Sequence, residues 1–592
     1  MSASSLIQTL ASYVPPLIVR RLAAAPASAV APTAERYLAA VFFVDISGFT
    51  LLTERLAQRG PEGAEELTRV INTYFGQLIE LITAHGGEVV KFAGDALLAL
   101  WPAQNYAPAD AAGGPRVFRT PLQEATYRAA QCGLAVIARL NHYPAMENWW
   151  LYLKVGLGAG EVLAMNVGGK FGRWEFLVTG APLSQMGAAE RAAQRGEVML
   201  SQEAWSLIAA SSVGQVLEHG AARLEAVRLS VEPRPAPPVP LPPPEAENAL
   251  LAFIPAAITR RLTAGQTDWL AELRRVTVLF ITVSGLDYAA PDAPEHIQAM
   301  MLSLQEKLYA YEGSVRQFIV DDKGAVLIAA LGLPPLSHED DAARGVQAAA
   351  AMHAALRQLG LRGAVGVTTG QAFCGEVGSV HRREYALVGG AVILAARLMQ
   401  AASQKGLDEA SPILCDAATY HAAQGQLQFE ALPAIQVKGK ADLVAVYRPI
   451  LSAQPLQSTA RPAPAVGEII GRAAERALLE EELQKLLRGR AGGTVIVEGE
   501  PGIGKSRLAD HLRREAELKR LTVLAGAGDA IEKLMPYHAW RGVFTQLFDL
   551  NVMSEPEARR QHILDLLEES EPPQVVRSPA RSRSLVGRDG VE

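Results

Sequence analysis

Two aspartates lie at positions where their carboxylates could bind a divalent cation. Asp45 ends a short apolar run in VFFVDISGFT (41–50), and Asp95 lies within KFAGDALLALW (91–101). We expect Asp45 at the end of a buried strand and Asp95 in a hairpin turn, so that two neighbouring strands bring the carboxylates together. Mg²⁺ accepts one or two carboxylates and completes its coordination with substrate phosphates. The pair therefore predicts a magnesium site, and the alternative is an N-cap aspartate and a turn aspartate without metal.

The residues after Asp45 predict a phosphate site. Ser47, Gly48, Phe49 and Thr50 open the helix that follows the strand. The free N–H groups at a helix start, together with the helix dipole, favour a triphosphate. This stretch would therefore bind the phosphates next to the ion that neutralises them.

A second phosphate-binding pattern lies near the end of the sequence. GEPGIGKS at 499–506 fits the Walker A pattern, and a β-branched run over 494–497 precedes it. Its backbone N–H groups would bind ATP phosphates, with Lys505 on the β/γ-phosphates and Ser506 on Mg²⁺. The glycines of the pattern are Gly499, Gly502 and Gly504. Because no apolar run ending in aspartate follows, the second Walker motif is missing and we expect a partial P-loop NTPase domain.

The elements that must position the aspartates alternate between strands and helices. This order is the plan of a ferredoxin-like βαββαβ domain. The predicted elements are a strand over 39–45, a helix over 62–84, a hairpin of 88–92 and 96–101, a helix over about 123–140 and a strand over 151–157.

The same order occurs twice along the chain. Matching segments with a slowly drifting offset indicate two homologous domains that differ by insertions and deletions. The matches are YVPPLIVRRL (13–22) with FIPAAITRRL (253–262), AVFFVDISGF (40–49) with TVLFITVSGL (277–286), GLGAGEVLAMNVG (156–168) with GVTTGQAFCGEVG (366–378), and EFLVTG (175–180) with EYALVG (384–389).

The chain is therefore predicted to be α/β (α+β), with two ferredoxin-like domains followed by the partial P-loop domain. The proline-rich stretch 232–247 is typical of a semi-rigid linker. The predicted segments are an N-terminal brace, meaning a segment that leads into a domain and supports it (1–35), a first domain (36–210), a linker (211–250), a brace with the second domain (251–450), a linker (451–468), the P-loop domain (469–571) and a disordered tail (572–592).

Composition argues against several classes of protein. The net charge of −6 gives no electrostatic reason to expect nucleic acid as a partner. The three cysteines are far apart, which favours a reducing compartment over a disulfide framework. No apolar run approaches the roughly 18 residues that span a bilayer, so we expect no transmembrane segment and a cytoplasmic location.

The strings around Asp45 and Asp95 resemble the metal-binding motifs of class III adenylyl/guanylyl cyclases. The resemblance is greatest to the soluble, bicarbonate-responsive type and its bacterial relatives that join tandem cyclase domains to an ATPase. It covers about residues 35–450 and continues into the ATPase region. It implies that Asp45, Asp95 and the carbonyl of Ile46 hold two Mg²⁺ or Mn²⁺ ions at one composite site.

The second domain departs from the metal motif. Thr282 stands at the place of Asp45, and Lys323 and Gly324 at the place of Gly94 and Asp95. In the family this half supplies base recognition and an arginine that stabilises the transition state. The first domain thus keeps the metal-binding acids, and the second keeps the groups for base recognition and the arginine. This division implies that the two domains pair within the chain as a pseudo-heterodimer with one working site.

Four residues receive substrate roles from the resemblance. Lys323 matches the purine-contacting lysine and Leu387 lies in the base pocket, while Arg397 matches the arginine that steadies the departing pyrophosphate. Lys154 of the first domain matches a phosphate-contacting lysine. Because a lysine donates a hydrogen bond that adenine N1 accepts, we expect ATP as the substrate over GTP.

Several positions depart from the family pattern. Ala386 replaces the adenine-contacting Thr or Asp, and Ile393 replaces the ribose-positioning Asn. Of a candidate anion site, Lys91 and Val178 are present, but the arginine falls on Gly187, so we do not expect bicarbonate stimulation.

The resulting hypothesis is a cyclase that converts ATP to 3′,5′-cyclic AMP and pyrophosphate. Two alternatives stay open. In the first, a weak or inactive pseudo-cyclase senses ATP and signals to the P-loop domain. In the second, a regulatory ATPase uses the cyclase pair as a scaffold.

Overall fold

The protein is described by a computed structural model, and its chain divides into two compact units, 1–451 and 452–592. The first unit contains two mixed sheets, and the second contains a short parallel pair of strands. The structure describes residues 3–26, 30–57, 59, 61–106, 118–146, 148–217, 220–229, 231–255, 258–259, 262, 272–321, 324–333, 336–338, 340–403, 412–437, 443–450, 472–489, 493–498, 505–526, 538–548, 562–566 and 583–585.

The first sheet has the strand order β2-β3-β1-β5-β7-β9-β8, with β4 and β6 also paired to β5. The order β2-β3-β1-β5 is that of the predicted ferredoxin-like plan. Its elements, with two N-terminal helices, are α1 (Ala3–Ser12), α2 (Pro16–Ala24), β1 (Thr33–Ser47), α3 (Phe49–Ala57), α4 (Pro61–Ala84), β2 (Glu88–Ala93), β3 (Ala96–Pro102), α5 (Pro121–Leu140), β4 (Tyr143–Met146), β5 (Trp149–Gly168), β6 (Trp174–Thr179), α6 (Ala181–Ala192), β7 (Val198–Leu200), α7 (Gln202–Ile208), β8 (Ser212–Val216) and β9 (Ala222–Val227).

The second sheet repeats this order as β11-β12-β10-β13-β15-β17-β16, with β14 also paired to β13. The duplication predicted from the sequence therefore extends to the topology. Its elements are α8 (Glu247–Leu251), β10 (Glu272–Val283), α9 (Ala293–Tyr309), β11 (Ser314–Asp321), β12 (Gly324–Leu331), α10 (Asp341–Gln358), β13 (Val365–Gly378), β14 (Arg383–Val388), α11 (Gly390–Ala402), β15 (Ile413–Asp416), α12 (Ala417–Ala423), β16 (Phe429–Ile435) and β17 (Val444–Pro449).

The predicted linker 211–250 contains regular structure. Strands β8 and β9 lie within it, and β9 pairs with β7 so that both complete the first sheet. These strands are short, and the neighbouring prolines dominate the composition of the segment, so the pattern alone placed the boundary too early. Residues 232–243 carry no regular element, and the N–H of Ala236 donates to the Thr83 carbonyl at 2.8 Å.

In the part of the second unit that the structure describes, helices are interspersed with short strands. In the segment 572–592, predicted as a disordered tail, Arg583–Leu585 forms a strand that pairs in parallel with the strand at Val495–Val497. The elements are α13 (Ala473–Leu487), β18 (Val495–Val497), α14 (Lys505–Leu518), α15 (His538–Leu547) and β19 (Arg583–Leu585).

Side chains of β1 alternate between two apolar clusters, as the period of a strand requires. Phe42 and Val44 lie in a core with residues of α4 and α5, and this core also takes in Phe373 of the second sheet. Val41 lies in a second cluster that includes Leu10 of α1. The acid-bearing end of β1 is therefore fixed by buried side chains on both faces.

Candidate active site

The first sheet brings the two predicted aspartates next to each other. Asp45 pairs with Ala96 of β3 on one side and with Lys154 of β5 on the other. Asp95 immediately precedes Ala96, in the turn between β2 and β3. Gly94 of this turn has a φ of 68°, a left-handed conformation that glycine adopts without steric cost. The hairpin thus places Asp95 at the end of the strand that adjoins Asp45.

Burial and mutual repulsion make the two carboxylates hard to ionise. The side chain of Asp45 is 27% exposed, and burial raises its pKa, with Glu190 adding to the shift and Lys154 opposing it. Burial and then the charge of Asp45 raise the pKa of Asp95 to about 7. Like charges close together cannot both ionise cheaply, and a cation between them relieves that cost.

The donor set fits a hard divalent cation that also binds substrate. Two carboxylates come from Asp45 and Asp95, and Ile46 lies one residue beyond the last β1–β3 pair. Within the described ranges, no group of three or more His, Cys, Asp or Glu side chains is arranged to hold a metal ion. Such a site fits Mg²⁺ or Mn²⁺, whose remaining ligands would be phosphate and water oxygens.

Lys154 joins the acidic pair through its register on β5. Its Nζ lies 3.5 Å from Asp45 Oδ2 and also contacts the Glu190 carboxylate. The Glu190 backbone carbonyl is a further acceptor, at 3.5 Å. Glu190 was not among the predicted site residues, because it lies on α6 and nothing in its local pattern connects it to β5.

The predicted phosphate-binding stretch lies at the start of α3. β1 ends at Ser47 and α3 begins at Phe49, which is buried. Gly48 has a φ of 98°, and a Cβ there would lie 3.1 Å from the Trp150 carbonyl oxygen. The side chain of Thr50 lies outside the described residues.

The corresponding hairpin of the second sheet is longer. Thr282 pairs with Val326, whereas the last pair of the hairpin is Asp321 with Gly324, so the ladder continues for two more residues of β12. The prediction that Gly324 takes the place of Asp95 was therefore wrong, because counting from the motif does not detect the extension. Lys323 lies outside the described residues.

The remaining predicted substrate residues lie on β14 and α11. Leu387 pairs with Cys374 and is buried in the same apolar cluster as Val41. Ile393 is half-buried in the first turn of α11. Arg397 donates from Nη1 to Gln400 Oε1 at 2.9 Å, and its Nε is buried without a hydrogen-bond partner among the described residues.

Reciprocal hydrogen bonds connect the two sheets near the candidate anion site. Lys91 Nζ donates to the Phe318 carbonyl at 2.8 Å, and the Gln317 amide donates to the Phe92 carbonyl. Burial lowers the pKa of Lys91, while the nearby carboxylates of Glu175 and Glu384 oppose that shift. Val178, the other predicted residue of this site, is buried in an apolar cluster.

In the second unit, β18 precedes α14 along the chain, and Lys505 is the first residue of that helix. This is the context that a Walker A pattern requires. Gly499, Gly502, Gly504 and the side chain of Ser506 lie outside the described residues.

Two protein-family models match separate parts of the chain, and curated relatives match most of its length. Residues 33–227 match the adenylate and guanylate cyclase catalytic domain, and residues 468–588 match the AAA ATPase domain. Adenylate cyclase type 10 of Homo sapiens is 25% identical over 579 residues, covering 89% of this chain and 34% of that protein. The mouse protein of the same name is 26% identical over 548 residues, covering 83% and 32%. The chain thus spans about a third of the length of these curated relatives.

A solved structure is also similar over much of the chain. A class III adenylyl cyclase-like ATP-binding protein from Pseudomonas aeruginosa covers 66% of this chain and 85% of its own, with 15% identity and a TM-score of 0.44. Of the helices that the structure describes, none is long and apolar enough to cross a membrane. The family matches and the relatives together confirm the resemblance predicted from the sequence, to class III nucleotide cyclases joined to an ATPase-like region.

Proposed function

We propose that the chain converts ATP to 3′,5′-cyclic AMP and pyrophosphate at one composite site between its two cyclase-like domains. The adjacency of Asp45 and Asp95, with the pKa of Asp95 raised to about 7, is the observation that carries the proposal. Two half-buried carboxylates that repel each other are costly, and a site for cations and phosphates accounts for that cost.

The reaction requires the ribose 3′-oxygen to attack the α-phosphorus while pyrophosphate leaves. Divalent ions bound by Asp45, Asp95 and the Ile46 carbonyl would lower the pKa of the 3′-hydroxyl and neutralise the triphosphate. The start of α3 binds phosphate oxygens through its free N–H groups. Lys154 and Arg397 supply positive charge where negative charge develops in the transition state.

The composite site requires that the two sheets pair as a pseudo-heterodimer. Equivalent hydrogen bonds in opposite directions support this pairing. The N–H of Gly168 donates to Gln298 Oε1 at 2.9 Å, and the N–H of Gly378 donates to Asn72 Oδ1 at 3.1 Å. Each bond joins a long strand of one domain to a helix of the other. Lys323 would then donate to adenine N1 and select ATP over GTP.

The test is turnover by the purified full chain. ATP or GTP is supplied with Mg²⁺ or Mn²⁺, and cyclic nucleotide and pyrophosphate are detected by mass. Cyclic AMP that forms faster than cyclic GMP, and that is lost in Asp45→Asn, is the expected result. Absence of any cyclic product under both metals would overturn the proposal.

A non-catalytic ATP sensor is the second candidate, and the base and ribose positions favour it. Ala386 is buried in an apolar cluster, and Ile393 offers no hydrogen bond to a ribose. If the site is a weakened cyclase, Ile393→Asn restores a positioning amide and raises turnover about tenfold. If the protein is a sensor, it binds a non-hydrolysable ATP analogue and neither form makes product.

Two further parts of the proposal concern the rest of the chain. The P-loop binds ATP, which is supported by the position of Lys505 at the start of α14 after β18. A cytosolic location is supported by three cysteines that are buried and unpaired: Cys132, Cys374 and Cys415.

A further inference from the structure

Glu190 holds the lysine of the acidic centre more closely than Asp45 does. Lys154 Nζ lies 3.5 Å from Asp45 Oδ2, whereas its contact with Glu190 Oε1 is shorter. The Glu190 side chain is 14% exposed and that of Lys154 is 21% exposed, so water screens this ion pair only partly. Glu190 is therefore the principal partner of Lys154.

The position of Glu190 is electrostatically unfavourable on its own helix. It lies in the last turn of α6, where the helix dipole disfavours negative charge. Its charge also raises the pKa values of Asp45 and Asp95. The ion pair with Lys154 offsets these costs, so the position of Glu190 is explained by its contact with Lys154.

Glycines of β5 allow the close approach that this contact needs. A Cβ on Gly156 would lie 2.7 Å from the Cβ and the N of Glu190 and 2.5 Å from the Met186 carbonyl oxygen. Real Cβ atoms do not tolerate such distances, so α6 reaches this position only because residue 156 lacks a side chain. The backbone is thus built to bring Glu190 to Lys154.

The second domain has the same packing without the charges. A Cβ on Gly366 would lie 2.5 Å from the backbone N of Met399, so Met399 occupies the place of Glu190. Opposite it, the N–H of Thr282 donates to the Ala364 carbonyl at 2.9 Å, and Ala364 occupies the place of Lys154. The domain without the acidic pair has therefore also replaced both members of the ion pair.

We propose that Glu190 is a positioning residue of the cyclase centre, which holds Lys154 in the closer ion pair and keeps its Nζ at 3.5 Å from Asp45 Oδ2, so that Asp45 can bind the cation and Lys154 the triphosphate. This proposal rests on the proposed function. Without the Glu190 carboxylate, Asp45 is the one charged partner among the acceptors that Lys154 Nζ already contacts, since the Glu190 backbone carbonyl at 3.5 Å is neutral, and Lys154 then competes with the divalent ion for Asp45. Glu190 touches neither substrate nor ion in this arrangement and acts through Lys154.

The test is a double-mutant cycle in the full chain with Glu190→Gln and Lys154→Met. Two readouts are used: the affinity of Mn²⁺ with α,β-methylene-ATP by calorimetry, and kcat with its Mn²⁺ dependence. Glu190→Gln is expected to weaken the affinity and to lower kcat about tenfold each. In the Lys154→Met background, the same substitution is expected to change both by less than about twofold.

Two results would overturn the proposal. One is an unchanged affinity and kcat in Glu190→Gln. The other is an equal loss in the presence and absence of Lys154, which would mean that Glu190 acts by its own charge. Glu197→Gln is the matched control, because Glu197 forms an ion pair with Arg223 at 3.2 Å in the same domain; both readouts are expected to stay unchanged.

The cycle also separates this proposal from the cyclase function. If the protein forms cyclic AMP but the titrations show no coupling between Glu190→Gln and Lys154→Met, the role of Glu190 is refuted and the cyclase function stands. If the titrations show this coupling but the protein forms no cyclic product, the cyclase function is refuted and the role of Glu190 in binding stands. Melting temperatures of all variants show whether a loss of binding is merely a loss of folded protein.

Discussion

The two sheets of the first unit share one topology but differ in the polar groups at the same place. In both, the strand that begins the domain lies between a hairpin and a long strand, and a helix packs against glycines of that long strand. The groups that differ are Asp45, Lys154 and Glu190 in the first domain, against Thr282, Ala364 and Met399 in the second.

This difference separates what the fold needs from what the site needs. The second domain keeps the strand order and the helix contact with a hydroxyl, a methyl group and a thioether at these places. The charged set of the first domain is therefore not required for folding. It is also costly, since burial raises the pKa of both aspartates. Because folding does not require these charged groups and their burial costs free energy, they indicate that the first domain carries the chemical site.

Substituting Asp45 or Asp95 should have the largest effect on turnover of all the changes considered. Asp45→Asn or Asp95→Asn is expected to lower turnover about 100-fold or more, because one carboxylate cannot hold the ions against the triphosphate. Product formation and the melting temperature are measured together. The control is Thr282→Ala in the second domain, where turnover should stay within about twofold. Equal losses in both domains would contradict the division into an acidic half and a neutral half.

Gly156, which packs against α6, and Gly366, which packs against α11, should contribute equally to the stability of their domains. Gly156→Ala places a Cβ 2.5 Å from the Met186 carbonyl oxygen, and Gly366→Ala places one 2.1 Å from the Ala395 carbonyl oxygen. Each is expected to lower the free energy of unfolding by about 1–3 kcal/mol, since the helix must shift. Urea denaturation measures this quantity.

Gly76→Ala on α4 is the matched control for these glycines. No atom lies within 4 Å of a Cβ there, so alanine should be neutral or stabilising by up to about 1 kcal/mol. A loss of stability in one domain only would show that the two helices do not pack alike.

The raised pKa of Asp95 should make the first domain sensitive to pH. A carboxyl whose folded pKa is about 7 favours the folded state at low pH, and this contribution is lost as pH rises through 7. Asp95→Asn should therefore raise the melting temperature of the metal-free protein at about pH 8 more than at about pH 5. Mn²⁺ should remove the difference in the wild type. An equal shift at both pH values would mean that Asp95 titrates normally.

Residues that repeat with a clear period were predictable from the sequence. α4, α5 and the β2–β3 hairpin lie close to the predicted ranges, because their apolar spacing alone determines the element. β1 begins at Thr33, well before the predicted start at residue 39, because its first residues are mostly exposed and show no apolar run. The adjacency of Asp45 and Asp95 followed from that hairpin. The duplication was found because the two copies keep the same order of short motifs.

Contacts between distant segments were not predictable in the same way. Glu190 reaches Lys154 only through the packing of α6 on Gly156, and no local pattern carries that information. The longer β11–β12 hairpin was missed because a motif position does not fix a strand register. β8 and β9 are short and lie beside the prolines, so their weak pattern was assigned to the linker.

The smallest predicted effect concerns the hydrogen bonds by which Gln298 and Asn72 join the two sheets, and whether they contribute equally to stability. Gln298 accepts from the Gly168 N–H at 2.9 Å and donates to the Gly168 carbonyl at 2.7 Å, whereas Asn72 accepts one bond from the Gly378 N–H at 3.1 Å. Since a hydrogen bond contributes about 1 kcal/mol net, Gln298→Ala should cost about 2 kcal/mol and Asn72→Ala about 1 kcal/mol. Alanine is the better helix former and reduces both costs by a few tenths of a kcal/mol.

The free energy of unfolding in urea distinguishes these two substitutions. Thr73→Ala, at an exposed position next to Asn72 on the same helix, measures the gain in helix propensity together with the loss of the exposed bond from Thr73 Oγ1 to the Arg69 carbonyl at 2.7 Å. Equal costs at the two sites would mean that the second bond of Gln298 contributes nothing. A larger cost for Asn72→Ala would mean that the link from the second sheet to α4 is the stronger one. Apolar side chains of α4 share a core with Val44 and Ile46, the neighbours of Asp45 on β1.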